Sequence, residues 1–273
     1  MNPAHSSLAV PRHRSWPACR QCWGVALDMG SARTRVWLAG RRTIVDVPTV
    51  TFPGSGAEYP IRRGAIVDTA GTARMLDRLL GHRLPRLVRP LVVVTTPVLD
   101  GIAYRAAARA AVAVLRPRSV LTVPGARAIA LGAEADLTRP LLVADIGAHL
   151  TEVVLLADGA VMDARRTSLG TGDLDSAAPA EIGEAVVAMV TAMVRQDRTS
   201  LMRDALGRGV LLAGGGALWP EITHRLGDRL HAPLRPVPAP HTAAVRGAAR
   251  LLKAAHGHPA VIGAPPPHPP DPA

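Results

Sequence analysis

The sequence predicts an α/β protein built from two similar halves around a cleft. Three observations carry this. Short apolar runs, each closed by an Asp, a Thr or a Gly turn, alternate with segments of helical period. Residues 28–36 (DMGSARTRV) and 145–153 (DIGAHLTEV) share the form D-x-G-x-x-x-T-x-V, and each starts at the end of one apolar run and continues into another. A glycine triplet, Gly214 to Gly216, follows a third apolar run and precedes a helical segment.

The elements follow in chain order. Residues 24–27 are a strand ending at Asp28, 35–38 a second after the glycine turn, and 42–47 a third. Residues 91–94 are a fully apolar strand closed by Thr95, Thr96 and Pro97. Residues 102–115 place Tyr104, Ala107, Ala108, Ala111 and Leu115 at helical spacing and stop before Pro117. Residues 141–144 are a buried strand ending at Asp145, with 152–157 and 160–164 as its hairpin partners. Residues 181–194 form a helix with Val186, Val187, Met189, Val190, Met193 and Val194 inward. Residues 210–212 run into the triplet, and 243–255 are the last helix.

Composition bounds the rest. With 273 residues, 48% hydrophobic and 19% charged, the chain is globular and can bury one large core or two small ones. Aromatics are 3%, so the core rests on Val, Leu, Ile and Ala. No apolar run reaches the roughly 18–20 residues of a membrane helix. Residues 1–22 are basic but interrupted by Pro11 and Pro17, which reads as a disordered arm rather than a signal peptide, and so as a cytoplasmic chain. Residues 256–273 form a Pro-rich tail. The net charge of +11 points to an acidic partner, either nucleic acid or an anionic membrane surface. Yet Lys253 is the only lysine, the arginines are scattered, and few aromatics stand beside them for stacking. This is the bias of a GC-rich genome, and no specific nucleic-acid binding is expected. Cys19 and Cys22 form one C-x-x-C. A structural zinc site takes about four ligands, which would need His5 and His13 as well. Reduced thiols are the plainer reading.

The repeated unit suits phosphate chemistry. A glycine turn lets backbone approach an anion, because no Cβ intervenes. Successive N–H groups of such a turn can cradle phosphate oxygens. A carboxylate at the strand end can hold Mg²⁺ through water. The Thr hydroxyl can bond a phosphate or brace the hairpin. Two copies, one per half, would clamp a phosphate chain from both sides, and the triplet can receive an α-phosphate and ribose at a helix start.

In this order the motifs resemble the superfamily of actins, sugar kinases and heat-shock chaperones. Residues 28–36 are similar to its first phosphate motif, 145–153 to its second, and 211–217 (LLAGGGA) to its adenosine motif. The helices after Pro124 and within residues 241–252 resemble its two connecting hinge helices. Within the superfamily, the MreB family is most similar: residues 25–37, 46–50 (DVPTV), 61–76, 170–175 (GTGDLD) and 209–218 each resemble its patterns. The resemblance implies an actin-like ATPase fold reduced to two duplicated ribonuclease-H-like inner subdomains around a central cleft. Little chain stands at 51–61 and at 175–181, where the family carries its outer subdomains. The implied layout is an arm at 1–22, a first lobe at 23–121 plus 242–255, a second lobe at 122–241, and a tail at 256–273.

The resemblance also implies ATP or ADP with Mg²⁺ as ligand. Its site would comprise Asp28, Gly30, Ser31, Ala32, Arg33 and Thr34 on one side and Asp145, Gly147, Ala148, His149 and Thr151 on the other. Gly214, Gly215 and Gly216 flank it, and Asp28 and Asp145 hold the metal through water. Two departures weaken hydrolysis. Ala148, His149 and Leu150 replace Gly, Gly and Thr of the second phosphate motif, and Val123 stands where the family has the Glu that positions the attacking water. Glu152 is a possible substitute acid or base but reads as a surface charge. His149 is read as solvated, and Trp37 and Trp219 as packing residues. The expected function is an MreB-like role in cell shape or cell-wall morphogenesis with weak or degenerate ATP binding. Its expected partners are full-length MreB-type filament proteins, cell-wall synthesis machinery or an anionic membrane surface. The alternatives are an active ATPase or small-molecule kinase, for which Asp68 and Asp100 are available carboxylates, and a scaffold that regulates full-length filaments without nucleotide.

Overall fold

The computed structural model describes residues 23–256 apart from 42, 55, 86, 100 and 174–177. Cys19, Cys22, Asp100 and both terminal segments lie outside the described residues. Two five-stranded sheets dominate. The first contains β1 (Gly24–Met29), β2 (Arg33–Leu38), β3 (Ile44–Pro48), β6 (Leu91–Thr96) and β7 (Ser119–Pro124), in the order β3-β2-β1-β6-β7. The second contains β8 (Leu141–Ile146), β9 (Thr151–Ala157), β10 (Ala160–Thr167), β11 (Val210–Ala213) and β12 (Leu234–Pro236), in the order β10-β9-β8-β11-β12. In each, the first three strands form an antiparallel meander and the last two run parallel to the first. The sequence repeat is thus a repeat of whole sheets.

The central strands are apolar on both faces because both faces are covered, as buried α/β sheets require. Val25, Leu27 and Met29 point into a core closed by α1 (Thr69–Leu80) and α2 (Gly101–Val112). Ala26 and Val93 point the other way, against α7 (Ala243–His256). Leu142, Ala144 and Ile146 face α4 (Ala178–Gln196), α5 (Leu201–Arg208) and α6 (Pro220–Leu230). Leu141 and Val143 face α3 (Gly125–Gly132). On α4, Val186, Met189, Val190 and Met193 are buried as expected, joined by Ile182. Val194 is instead 45% exposed, which corrects its assignment as an inward residue. The buried stripe starts one turn earlier than periodicity alone suggested, at Ile182, and ends at Met193. The lobe boundary expected at residue 121 falls inside β7, which pairs with β6 and completes the first sheet.

Two helices join the halves. Helix α3 sends Ala126, Ile129 and Ala130 into the second lobe's core, while Ala128 packs beside Val245, Ala248 and Ala249 of α7 against the first sheet. The helices cross through glycines. A Cβ on Gly247 would lie 1.7 Å from the Ala128 carbonyl oxygen, and one on Gly132 2.2 Å from that of Ala243. Only a residue without Cβ admits this approach. Where outer subdomains were expected to be missing, residues 49–68 hold an isolated Thr51–Glu58 bridge and the two-residue strands β4 (Ile61–Arg62) and β5 (Ala65–Ile66). Residues 168–177 link β10 to α4.

Candidate functional site

The two Asp–Gly bends line one cleft, with a cavity of about 280 Å³. They are built alike. The Gly30 amide donates to the Arg33 carbonyl at 3.0 Å, and the Gly147 amide to the Leu150 carbonyl at 2.9 Å. A Cβ would stand 3.1 Å from that oxygen at Gly30 and 2.8 Å at Gly147, so glycine is what lets each bend close.

Asp28, Gly30, Ser31, Ala32 and Arg33 line the cleft from the first lobe. Asp145, Gly147, Ala148 and His149 line it from the second, with Gly214 and Gly215 at the side. Three expected residues are placed elsewhere. Thr34 is fully buried and its hydroxyl meets that of Thr49 at 2.8 Å; Thr151 is fully buried and donates to the Leu169 carbonyl at 2.9 Å. Both brace the hairpins rather than face the cleft. Gly216 is buried under Ile146, whose Cγ2 would lie 2.2 Å from a Cβ there. Val123 is buried in the core that holds the hinge helices. Asp68 caps α1, accepting the Gly71 amide at 2.8 Å, and pairs with Arg74 at 3.5 Å. Trp37 and Trp219 pack in the cores, with the Lys253 ammonium 5.1 Å above the Trp37 ring.

Glu152 is the main correction. It is 7% exposed, lines the cleft, and accepts the Val98 and Leu99 amides of the first lobe at 3.2 and 3.4 Å. A carboxylate on the second lobe is therefore held by backbone of the first. Strand alternation put it on a face, but only the opposing lobe made that face an interior. Thr95, also missed, donates to Asp28 at 2.7 Å. Tyr104 lines the cleft floor and donates to the Met29 carbonyl at 2.7 Å.

The repeats differ in charge. In register, Asp28 stands opposite Arg35, while Asp145 stands opposite Glu152. Arg35 comes within 3.9 Å of Asp28. Burial still raises the Asp28 pKa, opposed by the Thr95 hydrogen bond and Arg35. Asp145 is pushed up to about 7, first by burial and then by the nearby charges of Asp28 and Glu152. Buried carboxylates brought together in a cleft make it the candidate site. Among the described residues no group of three or more His, Cys, Asp or Glu is arranged to hold a metal ion directly. What fits is a cation held through water by Asp28 and Asp145, the mode Mg²⁺ favours.

A clasp crosses the cleft mouth. Arg63 and Gly64 form the β4–β5 turn, with φ of 46° and 77°. Asn, Asp and Gly enter that region readily, whereas Arg rarely does. The Arg63 guanidinium spans to the second lobe, donating to the Ser168 carbonyl and pairing with Asp173 at 3.0 Å. Gly64 sits against Leu150, whose Cδ2 would lie 2.5 Å from a Cβ there. Arg63→Ala should cost under about 1 kcal/mol, since the pair is half exposed. It should nevertheless speed amide exchange at Thr171 and Asp173, read by hydrogen–deuterium exchange. Unchanged protection there would mean the clasp does not hold the lobes.

Comparison with known proteins agrees with this architecture. The chain matches the MreB/Mbl protein family over residues 56–182. A search of curated protein sequences finds no match. Among solved structures, MreB5 of Spiroplasma citri bound to ADP superposes with a TM-score of 0.76 at 14% identity, covering 85% of this chain and 97% of that one. The MamK double helical filament gives 0.68 at 15% identity, covering 84% and 98%. The ethanolamine utilization protein EutJ from Carboxydothermus hydrogenoformans gives 0.60 at 14% identity, covering 83% and 89%. Taken with the duplicated sheets and the shared cleft, these likenesses show the actin-like ATPase fold, with similarity to the MreB/Mbl family over residues 56–182.

Proposed function

We propose that this chain is an MreB-like cytoskeletal protein of cell-shape or cell-wall morphogenesis. In this reading its cleft takes ATP or ADP with Mg²⁺ and hydrolyses ATP slowly or not at all. One observation carries it: the two Asp–Gly bends of the repeat share a single cleft, with Gly214 and Gly215 at its side. The bends would receive the phosphates, and Asp28 and Asp145 the water shell of the metal. Bound Mg²⁺ would neutralise phosphate charge, and would equally relieve the repulsion among Asp28, Asp145 and Glu152. The structural neighbours support the reading, since MreB5 is found with ADP and with AMPPNP and MamK as a filament.

Weak hydrolysis follows from residues. Val123 can neither orient water nor accept a proton. Leu150 lines the cleft at the second bend and lies against Gly64 of the clasp. Glu152 is already engaged by two amides. Without a positioned base the loss is on the order of 10²–10⁴ in rate.

Partners would be full-length MreB-type filament proteins or the cell-wall machinery, met in the cytoplasm or at an anionic membrane surface. No helix among the described residues is long and apolar enough to cross a membrane. The short links at 49–68 and 168–177 favour a second reading, a scaffold that regulates full-length filaments. Thermal shift separates them. ATP–Mg²⁺ at tenfold its Kd should add about 1.4 kcal/mol, or roughly 3–5 °C in Tm. A flat response through millimolar ATP supports the scaffold. Rapid phosphate release that disappears in Asp145→Ala would instead establish an active ATPase.

A further inference from the structure

We infer that Arg35 is a built-in counter-cation of the cleft, so that nucleotide still binds there when Mg²⁺ is removed. This rests on the nucleotide reading above and deepens it. Arg35 holds, in the first half of the repeat, the strand position that Glu152 holds in the second. The duplicated hairpins therefore present opposite charges at equivalent places on the cleft wall.

The guanidinium is fixed from one side only. Strand β2 lies between β3 and β1, and Arg35 reaches both neighbours. Its Nε donates to the Asp46 carboxylate on β3 at 3.1 Å. The same carboxylate accepts the Arg33 Nε at 2.8 Å, so one anion is shared by two guanidiniums. Arg35 Nη1 stands 3.9 Å from the Asp28 carboxylate at the end of β1, and the side chain, 17% exposed, lines the cavity. That distance is an ion-pair separation, too long for a hydrogen bond. A pair serving the sheet alone would end between β2 and β3; this one continues to the carboxylate beside the glycine bend.

A metal ion in the cleft has two electrostatic tasks, to offset the carboxylates and to offset the phosphates. Arg35 already offsets Asp28, and its charge also favours the ionised form of Asp145. Glu152 is met by the Val98 and Leu99 amides of the opposite lobe. His149 and His241 also line the cavity and add only neutral or positive groups. A phosphate thus meets a first wall whose carboxylate is balanced before any ion arrives. A planar guanidinium is also matched to phosphate oxygens, and here it is held in place in advance. What Mg²⁺ adds, through Asp145, is a remainder of at most about tenfold in affinity, or 1.4 kcal/mol.

The test is calorimetric titration of the full chain with ADP, once in Mg²⁺ and once in excess EDTA. The dissociation constant should change by no more than about tenfold in the parent chain and by well over tenfold in Arg35→Gln. Arg35→Lys, which keeps the charge, should respond as the parent does. A parent response above tenfold, or an Arg35→Gln response no larger than the parent's, overturns the inference and leaves nucleotide binding intact. If circular dichroism shows that Arg35→Gln does not fold, the parent and Arg35→Lys decide, and a response above tenfold in either overturns it. A parent chain that binds ADP in neither buffer overturns both readings.

Discussion

Gly247→Ala is expected to destabilise the protein by at least about 3 kcal/mol and to broaden or split its unfolding transition. Two opposing effects decide the sign. Within a helix, Ala is intrinsically better than Gly by roughly 0.8–1.0 kcal/mol. Here, however, the new methyl would sit 1.7 Å from the Ala128 carbonyl oxygen. That neighbour is backbone, so no side chain can swing aside, and α3 and α7 must separate. Overpacking typically costs 1–3 kcal/mol and more when backbone must shift. The same separation disturbs Gly132 against Ala243, 2.2 Å from its own missing Cβ. Because these helices are the joint between the two lobes, the lobes should also lose mutual order. Urea unfolding followed by far-ultraviolet circular dichroism reads the midpoint and slope. A variant more stable than the parent by the propensity difference would show that the helices do not cross this closely.

Asp145→Asn should have the opposite sign, and only at neutral to alkaline pH. In the unfolded chain Asp145 loses its proton near the ordinary carboxylate value of 3.8, whereas in the fold it keeps it to about 7. Between those values the native state binds more protons than the unfolded state, so stability falls as pH rises through that window. Above pH 7 the whole penalty is present. Three pKa units correspond to an upper limit of about 4 kcal/mol, and the group's partial access to water reduces this to about 2 kcal/mol. Asn keeps the shape and removes the charge. The variant should therefore gain roughly 4–8 °C in Tm at pH 8 and almost nothing at pH 4. Equal gains at both pH values would mean that the buried charge is not the cause. The same substitution should weaken Mg²⁺-dependent ligand binding, a trade of stability for function common at such sites.

Much of this architecture could be read along the chain. The pair of D-x-G-x-x-x-T-x-V runs located both bends, because a glycine beside a strand end has few other reasons to recur at matching places. Apolar runs located the central strands of both sheets. Other features were hidden for identifiable reasons. Glu152 looked like an outward charge because strand alternation reports a face, not what lies opposite it; its partners, Val98 and Leu99, are 54 and 53 residues away. Thr34 and Thr151 carry hydroxyls able to serve either a ligand or the fold, and the fold took both. Val194 kept helical period with its neighbours but is left outside the buried stripe, which ends at Met193.

The order of local elements, the duplication and the position of each glycine bend were set by the amino-acid sequence, since a bend and a strand depend on φ/ψ preference and near-neighbour burial. The tertiary structure decided what those elements do to one another. It placed Glu152 opposite Asp145, brought Arg63 across the cleft, and let α3 and α7 touch through Gly132 and Gly247. Charge coupling and steric contact act through space, and separation along the chain carries no record of them.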